Sequence, residues 1–177
     1  PDHDVEALGL LKMDFLGLRN LDIIQDALRL IRESTGEDLD IEALTLDDPP
    51  TYRMLAKGDA LGVFQFESSG MRDALREVRP TEFADLVALV ALYRPGPMAF
   101  ISTYAKNKRD PSRVRFDDPR LEPITGPTYG VAVYQEQLMQ ISRTIAGFSP
   151  ARADDLRKAV GKKDKELMAS LSDEFIQ

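Results

Sequence analysis

Apolar residues three and four apart, broken by proline and glycine at helix-length intervals, constrain this chain more than any other feature. Such spacing builds one-sided helices and leaves few runs suited to a sheet. From Arg19 to Ser34, Leu21, Ile24, Leu28 and Ile31 share a helical face, and Ser34-Thr35-Gly36 supplies the stop. Asp47-Asp48-Pro49-Pro50-Thr51 predicts a helix entry with proline in the first turn, closed by Gly58. Ser69 is the expected cap of a helix over Gly70 to Val78. Pro80-Thr81 opens another through Tyr93, with Phe83, Leu86, Val87, Val90 and Ala91 as its buried stripe. Helices are expected again over Val131 to Ile145, with Leu138, Ile141 and Ile145 inward, from Ser149-Pro150 to Val160, and over Lys162 to Ile176.

Three segments break this pattern. Leu8 to Leu18 reads as a strand, in which Leu8, Leu10, Lys12 and Asp14 share one face while Leu11, Met13 and Phe15 share the other. Leu61 to Phe66 reads as a short extended segment. Met98 to Tyr129, rich in proline, glycine and charge, reads as a long irregular surface excursion. The expected fold is therefore mainly α, in the α+β class, with a short N-terminal strand and one or two short extended segments. Residues 1–34 form a first piece of strand plus helix, and residues 35–177 a helical domain with an irregular excursion over 98–129.

Residue chemistry narrows the function. Without cysteine, and with His3 the single histidine, the chain has no thiolate and little imidazole chemistry, which leaves carboxylates, hydroxyls and cations. Lys12 and Asp14, projecting together from an apolar strand, suit either a salt bridge at a strand end or a division of labour in which the carboxylate holds a metal and the ammonium a phosphate. The net charge of −7 argues against a polyanionic partner for the molecule as a whole, but the charge is unevenly spread. Between Tyr93 and Arg115, Arg94, Lys106, Lys108, Arg109, Arg113 and Arg115 face only Asp110, and a second basic group comprises Arg157, Lys158, Lys162, Lys163 and Lys165. The second group suits a polyphosphate, or equally the compensation of a helix C-terminus. Gln65, Glu67, Ser68 and Ser69 occupy a turn that either grips an anion or sugar or caps a helix. Arg94-Pro95-Gly96-Pro97 is a stiff wall or a helix stop, and Tyr134 and Gln135 are hydrogen-bonding groups or a polar helix start. No segment approaches a membrane span and no signal-peptide pattern opens the chain, so cytoplasm is the expected compartment. The start at Pro1 and the mid-helix end at Phe175-Ile176-Gln177 lead us to expect a fragment of a longer protein.

Taken together, Lys12-Met-Asp-Phe-Leu-Gly-Leu18, Gly62-Val-Phe-Gln-Phe-Glu-Ser-Ser-Gly-Met71, Ala91-Leu-Tyr-Arg-Pro-Gly-Pro-Met98, Val133-Tyr-Gln-Glu-Gln137 and Asp155-Leu-Arg-Lys-Ala-Val-Gly-Lys-Lys163 follow one another in an order that resembles the alpha subunits of bacterial DNA polymerase III, the C-family replicative polymerases. The resemblance runs from about residue 5 to the end. It implies the end of a palm domain, residues 1–34, followed by most of a helical fingers domain, residues 35–177. It implies further that Asp14 is one of three aspartates serving two Mg2+ ions, and that Lys12, Arg157 and Lys158 meet the triphosphate of an incoming dNTP. Gln65, Ser68, Arg94, Tyr134, Gln135, Lys162 and Lys163 are candidate contacts to nucleotide or template, and Lys106, Lys108, Arg109, Arg113 and Arg115 to the DNA backbone. Lys158 and Val160 depart from the family's usual Arg and Met, and Phe66 from a common leucine; a lysine keeps the charge but loses the fork of an arginine. Implied partners are template-primer DNA, dNTPs and other replicase subunits, the last through residues outside this chain. The remaining two aspartates are expected upstream of Pro1, so the chain alone is expected not to polymerise. The other readings of the residues are a non-catalytic helical module that binds nucleic acid and a helical scaffold for protein partners.

Overall fold

A computed structural model describes residues 2–176, and among these the regular structure is helical, with no strand or sheet. The expected N-terminal strand is thereby overturned. After a short helix, α1 (Asp2–Ala7), the chain turns at Gly9 (φ 70°), and residues 10–18 have no regular structure. A strand needs a second strand to take its N–H and C=O groups, and none is offered here. Leu8, Leu10, Leu11, Met13, Phe15 and Leu16 are accordingly all exposed.

The chain divides into two units, one running to Leu44 and the other starting at Thr45. In the first, α2 (Arg19–Thr35) ends at Gly36, whose left-handed backbone (φ 76°) lets its N–H return to the Arg32 carbonyl at 3.0 Å. That stop is the expected one. The shared apolar face of this helix is not buried, since α2 buries no residue fully and Leu21 and Ile24 are exposed.

In the second unit, α3 (Pro49–Ala56) begins where Asp48 Oδ2 accepts from the Thr51 N–H at 3.0 Å, with proline filling a position whose N–H would have no partner. Ser68, one residue earlier than expected, caps α4 (Ser69–Val78) by accepting from the Met71 N–H. The segment before it is not extended. It is a succession of tight turns closed by Val63 N–H to Ala60 O (3.1 Å) and Phe66 N–H to Val63 O (3.0 Å), with Gly62 and Gln65 both at positive φ. Then come α5 (Phe83–Leu92), α6 (Ile101–Arg109), the single turn α7 (Glu122–Thr125), α8 (Gln135–Ala146), α9 (Pro150–Lys162) and α10 (Lys165–Ile176). α8 starts at Gln135 and not at the expected Val131 and closes at Gly147, while α9 continues past the expected Val160 and stops at Lys163, which takes the left-handed cap itself (φ 56°).

Two cores hold this unit. Leu55, Met71, Leu75, Val78, Leu89, Leu92, Ile101 and Tyr104 join α3, α4, α5 and α6. Full burial of each leucine contributes about 1.5–3 kcal/mol. Phe148, Ala153, Leu156, Ala159 and Leu171 join α9 and α10, with Leu138 and Met139 of α8 packed against them. The 98–129 stretch is not an irregular excursion, because α6 buries Ile101, Tyr104 and Ala105 in the first core. The buried face of α5 also differs from the expected one. Asp85, Ala88, Leu89 and Leu92 face inward, while Phe83 and Val87 are 48% and 42% exposed. That helix is apolar on every side, so spacing alone could not choose its face. The choice follows from a carboxylate that has partners waiting for it inside.

No described helix is long and apolar enough to cross a membrane.

Candidate functional site

In the first unit Lys12 Nζ and Asp14 Oδ2 lie 4.0 Å apart, so the two side chains do stand together, on an exposed segment rather than on a strand; the Asp14 side chain is 85% exposed. Among the described residues no group of three or more His, Cys, Asp or Glu side chains could hold a metal ion. One exposed carboxylate beside an ammonium does not fit a two-metal centre, which needs several oxygen ligands converging on each ion.

Four members of the second basic group lie on α9 and its C-terminal cap, and the fifth, Lys165, opens α10. Ser149 starts α9 by accepting from the Arg152 N–H, with Pro150 at its first position. Positions 154, 157, 158 and 162 then fall on one face. Arg157 Nε donates to Asp154 Oδ1 at 2.8 Å, and Lys158 Nζ lies 2.9 Å from Asp154 Oδ2. The hydrogen bond from Lys158, then that from Arg157, holds the Asp154 carboxyl below its ordinary value, and Asp154 in turn raises Lys158. Lys162 and Lys163 continue this surface, both exposed and with no ion-pair partner among the described residues. Four cations thus gather over the last two turns of one helix and its cap, where its carbonyl ends favour positive charge.

The turn at 61–68 and the Arg94-Pro-Gly-Pro corner meet at one place. Gly70, in the first turn of α4, lies so close to the Tyr93 hydroxyl at the end of α5 that a Cβ there would collide with it. Gln65 is exposed and held at φ 66°, a conformation costly for a residue with a side chain. With Phe66 it borders a groove of about 250 Å³ whose other walls are Phe83, Leu86, Val87 and Val90, the outward stripe of α5. Gly96 (φ 103°) turns the chain, and the Arg94 side chain beside it is exposed. The Ser68 hydroxyl is occupied as the α4 cap.

The first basic group proves to be divided. Lys108 Nζ is 3.3 Å from Asp85 Oδ2 and donates to the Arg79 carbonyl and the Thr81 hydroxyl, both at 3.0 Å; its side chain is only 10% exposed. Arg109 donates to the Glu77 carbonyl at 2.9 Å, Arg113 pairs with Asp110 at 2.8 Å, and Arg115 donates to the Ser112 carbonyl at 2.6 Å. Lys108 and Arg109 reach residues far along the chain, whereas Arg113 and Arg115 bond only within three positions of themselves, and Lys106, Arg109, Arg113 and Arg115 are all exposed. At the start of α8 the structural work falls on buried Gln137. Its Oε1 accepts from the Val133 and Tyr134 N–H groups, and its Nε2 donates to the Ile124 carbonyl and the Thr128 hydroxyl. Gln135 points to solvent, and burial raises the Tyr134 phenol. Sequence reasoning missed Asp85 and Asp154, and it saw the amides of Tyr134-Gln-Glu-Gln137 as groups for a ligand or a polar helix start, where Gln137 is buried and bonds within the fold. Only Asp154 carried a legible signal, an acid three and four residues before two cations.

A family model for the finger domain of the bacterial DNA polymerase III alpha subunit matches residues 20–177. The DNA polymerase III subunit alpha of Halalkalibacterium halodurans is 50% identical over 172 residues, 97% of this chain and 15% of that protein. That of Aquifex aeolicus is 49% identical over 175 residues, 98% of this chain and 15% of the relative. That of Staphylococcus aureus strain COL is 47% identical over 174 residues, 98% of this chain and 16% of the relative. The chain therefore spans only 15–16% of the length of these curated relatives.

Proposed function

Because this chain belongs to the finger-domain family of the bacterial DNA polymerase III alpha subunit, we propose that it serves a full-length DNA-directed DNA polymerase by receiving the incoming dNTP, with template-primer DNA as the other substrate. The observation that carries this reading is the cationic end of α9, within the segment that matches the family. Arg157 and Lys158 stand side by side there with Lys162 and Lys163 beyond them. In polymerisation a primer 3′-hydroxyl oxygen forms a bond to the α-phosphorus, the α–β phosphoanhydride bond breaks, and pyrophosphate leaves with the charge. Arg157 and Lys158, together with Lys12, are assigned to neutralise the triphosphate as that charge moves toward the leaving group. Arginine supplies a fork for two phosphate oxygens and lysine a point charge.

Mg2+ and Asp14 are assigned together only in the full-length protein, where other residues would have to complete the ligand set. Lys106, Arg109, Arg113 and Arg115 of the first basic group are exposed, and we assign them to the DNA backbone, a contact that carries no sequence choice. Gln65, Ser68, Arg94, Tyr134 and Gln135 remain proposed contacts to nucleotide or template. We place the protein in the cytoplasm with other replicase subunits as partners, and propose that the 177-residue chain alone does not extend primers.

Steady-state primer extension by the full-length subunit tests the reading. Replacing Arg157 and Lys158 together by alanine should raise KM for dNTP at least tenfold, since each charged hydrogen bond contributes about 1.5–3 kcal/mol. An unchanged KM would remove the triphosphate assignment. Residual DNA binding with no polymerisation by the unaltered full-length subunit would favour the non-catalytic binding module.

A further inference from the structure

We propose that Asp154 is a positioning residue for triphosphate binding that acts through Arg157 and Lys158; the inference rests on the reading that these two cations meet the triphosphate. Each Asp154 oxygen takes one cation, Oδ1 the Arg157 Nε at 2.8 Å and Oδ2 the Lys158 Nζ at 2.9 Å. The bond to Arg157 is made by Nε, on the flank of the guanidinium. The plane of the group is thereby set while both terminal nitrogens, the fork that matches two phosphate oxygens, meet no acceptor among the described residues. Lys158 keeps two of its three N–H donors.

Two adjacent cations on one helix also repel each other, an effect that lowers Lys158, and the carboxylate between them more than offsets it. The neighbouring acids are engaged elsewhere. Asp155 lies 3.7 Å from Arg152, which in turn reaches Glu174 of α10 at 2.5 Å. Asp154 therefore orients the pair and supplies the largest share of the attraction that lets it stay together, with Asp155 a lesser contributor.

The sign of the effect separates this role from simple charge masking. Removal of a negative charge beside an anion site should, by Coulomb attraction alone, tighten binding of the triphosphate. Loss of a positioning contact should weaken it.

The experiment is steady-state primer extension by the full-length subunit, read as KM and kcat for dNTP. Asp154→Ala should raise KM roughly fourfold, a factor of about two for each of the two exposed helical ion pairs lost, with kcat changed much less. Asp154→Asn, which keeps the acceptor for Arg157 but loses the pair with Lys158, should give a smaller rise, and Asp154→Glu should restore most of the loss. In a background already carrying Arg157→Ala and Lys158→Ala, the Asp154→Ala change should have no further effect on KM. A fall or no change in KM on Asp154→Ala overturns the proposal, as does a rise that persists in that background. If the Arg157→Ala and Lys158→Ala changes themselves leave KM unaltered, the triphosphate reading fails. If they raise it while Asp154→Ala does not, the positioning role alone fails.

Discussion

Replacing Lys108 by methionine tests whether this cation holds the fold rather than a ligand. Asp85 is fully buried, and its carboxylate accepts from the Thr81 N–H at 2.8 Å, the Tyr104 hydroxyl at 3.1 Å and the Glu82 N–H at 3.3 Å, with the Lys108 ammonium at 3.3 Å. Methionine preserves the apolar stem of the lysine, so the perturbation is confined to the charge and its three contacts. A buried ion pair broken on one side costs about 3–5 kcal/mol, because the remaining charge is left without its counter-ion. Four neutral donors, the Thr81 hydroxyl at 3.3 Å being the fourth, still serve Asp85, which puts the expected loss at the lower end, about 3 kcal/mol. With a urea slope of about 1.5 kcal/mol/M, the midpoint of unfolding followed by far-UV circular dichroism should fall by about 2 M. Lys106→Ala, which removes an exposed cation from the same helix, should move it by less than about 0.3 M. A second change, Asp85→Asn, made in the Lys108→Met protein should recover part of the loss, since a neutral amide needs no counter-ion. If the midpoint of Lys108→Met stays within about 0.5 M of the parent, the buried pair is not what anchors α6 to α5.

Two other outcomes follow from local geometry. Gly70→Ala should destabilise by about 1–3 kcal/mol, because its Cβ meets the Tyr93 hydroxyl and lies only 3.3 Å from the ring carbon that bears it. The same change in a Tyr93→Phe protein should cost much less, and equal thermal shifts in the two backgrounds would refute the collision. Asp118 is held down to about 2 by the side-chain hydrogen bond from Arg120, foremost among several causes. A depressed carboxyl contributes stability that is fully present above its ordinary value of 3.8 and is lost as pH falls through about 2. Carboxyl resonances followed by NMR should show that low midpoint, and Arg120→Ala should return it toward 3.8; a midpoint near 3.8 in the parent would refute the pairing.

Boundaries set by short-range chemistry were legible in the sequence. The stop at Gly36, the Asp48-Pro49 entry, the Gly147 stop and the Ser149-Pro150 entry all lie where the residues place them, since a cap is made by side chains and backbone within four residues of each other. What failed required partners far along the chain. The strand over Leu8 to Leu18 had the right alternation, but alternation describes a surface and does not provide the neighbour that completes a ladder. The inward face of α5 was hidden because every side of that helix is apolar, and the residue that decides it, Asp85, is one that composition would send outward. In α6 the reverse occurred. Its string of polar and basic residues looked like loop, although Ile101, Tyr104 and Ala105 bury one face and Lys108 closes over the buried carboxylate.

The basic residues show where reading by charge reaches its end. As a count, the run from Arg94 to Arg115 was the richer cation group, yet Lys108, Arg109, Arg113 and Arg115 are held by a buried carboxylate, backbone carbonyls or Asp110. The smaller group on α9 faces the other way. The acid paired with its cations, Asp154, binds Arg157 from the flank through Nε and leaves both terminal nitrogens without a protein acceptor among the described residues. Net charge per segment cannot tell these cases apart, because both contain cations within hydrogen-bond reach of an acid. The difference lies in which nitrogen is used and how deeply the acid is buried. Asp85 is fully enclosed, and an ammonium that leaves it abandons a charge to the core; Asp154 is 35% exposed, so water can replace whatever its cations release. Cations of the second kind can change partners at little cost, as the proposed triphosphate contact requires, and an ammonium paired with a buried carboxylate, as Lys108 is, cannot.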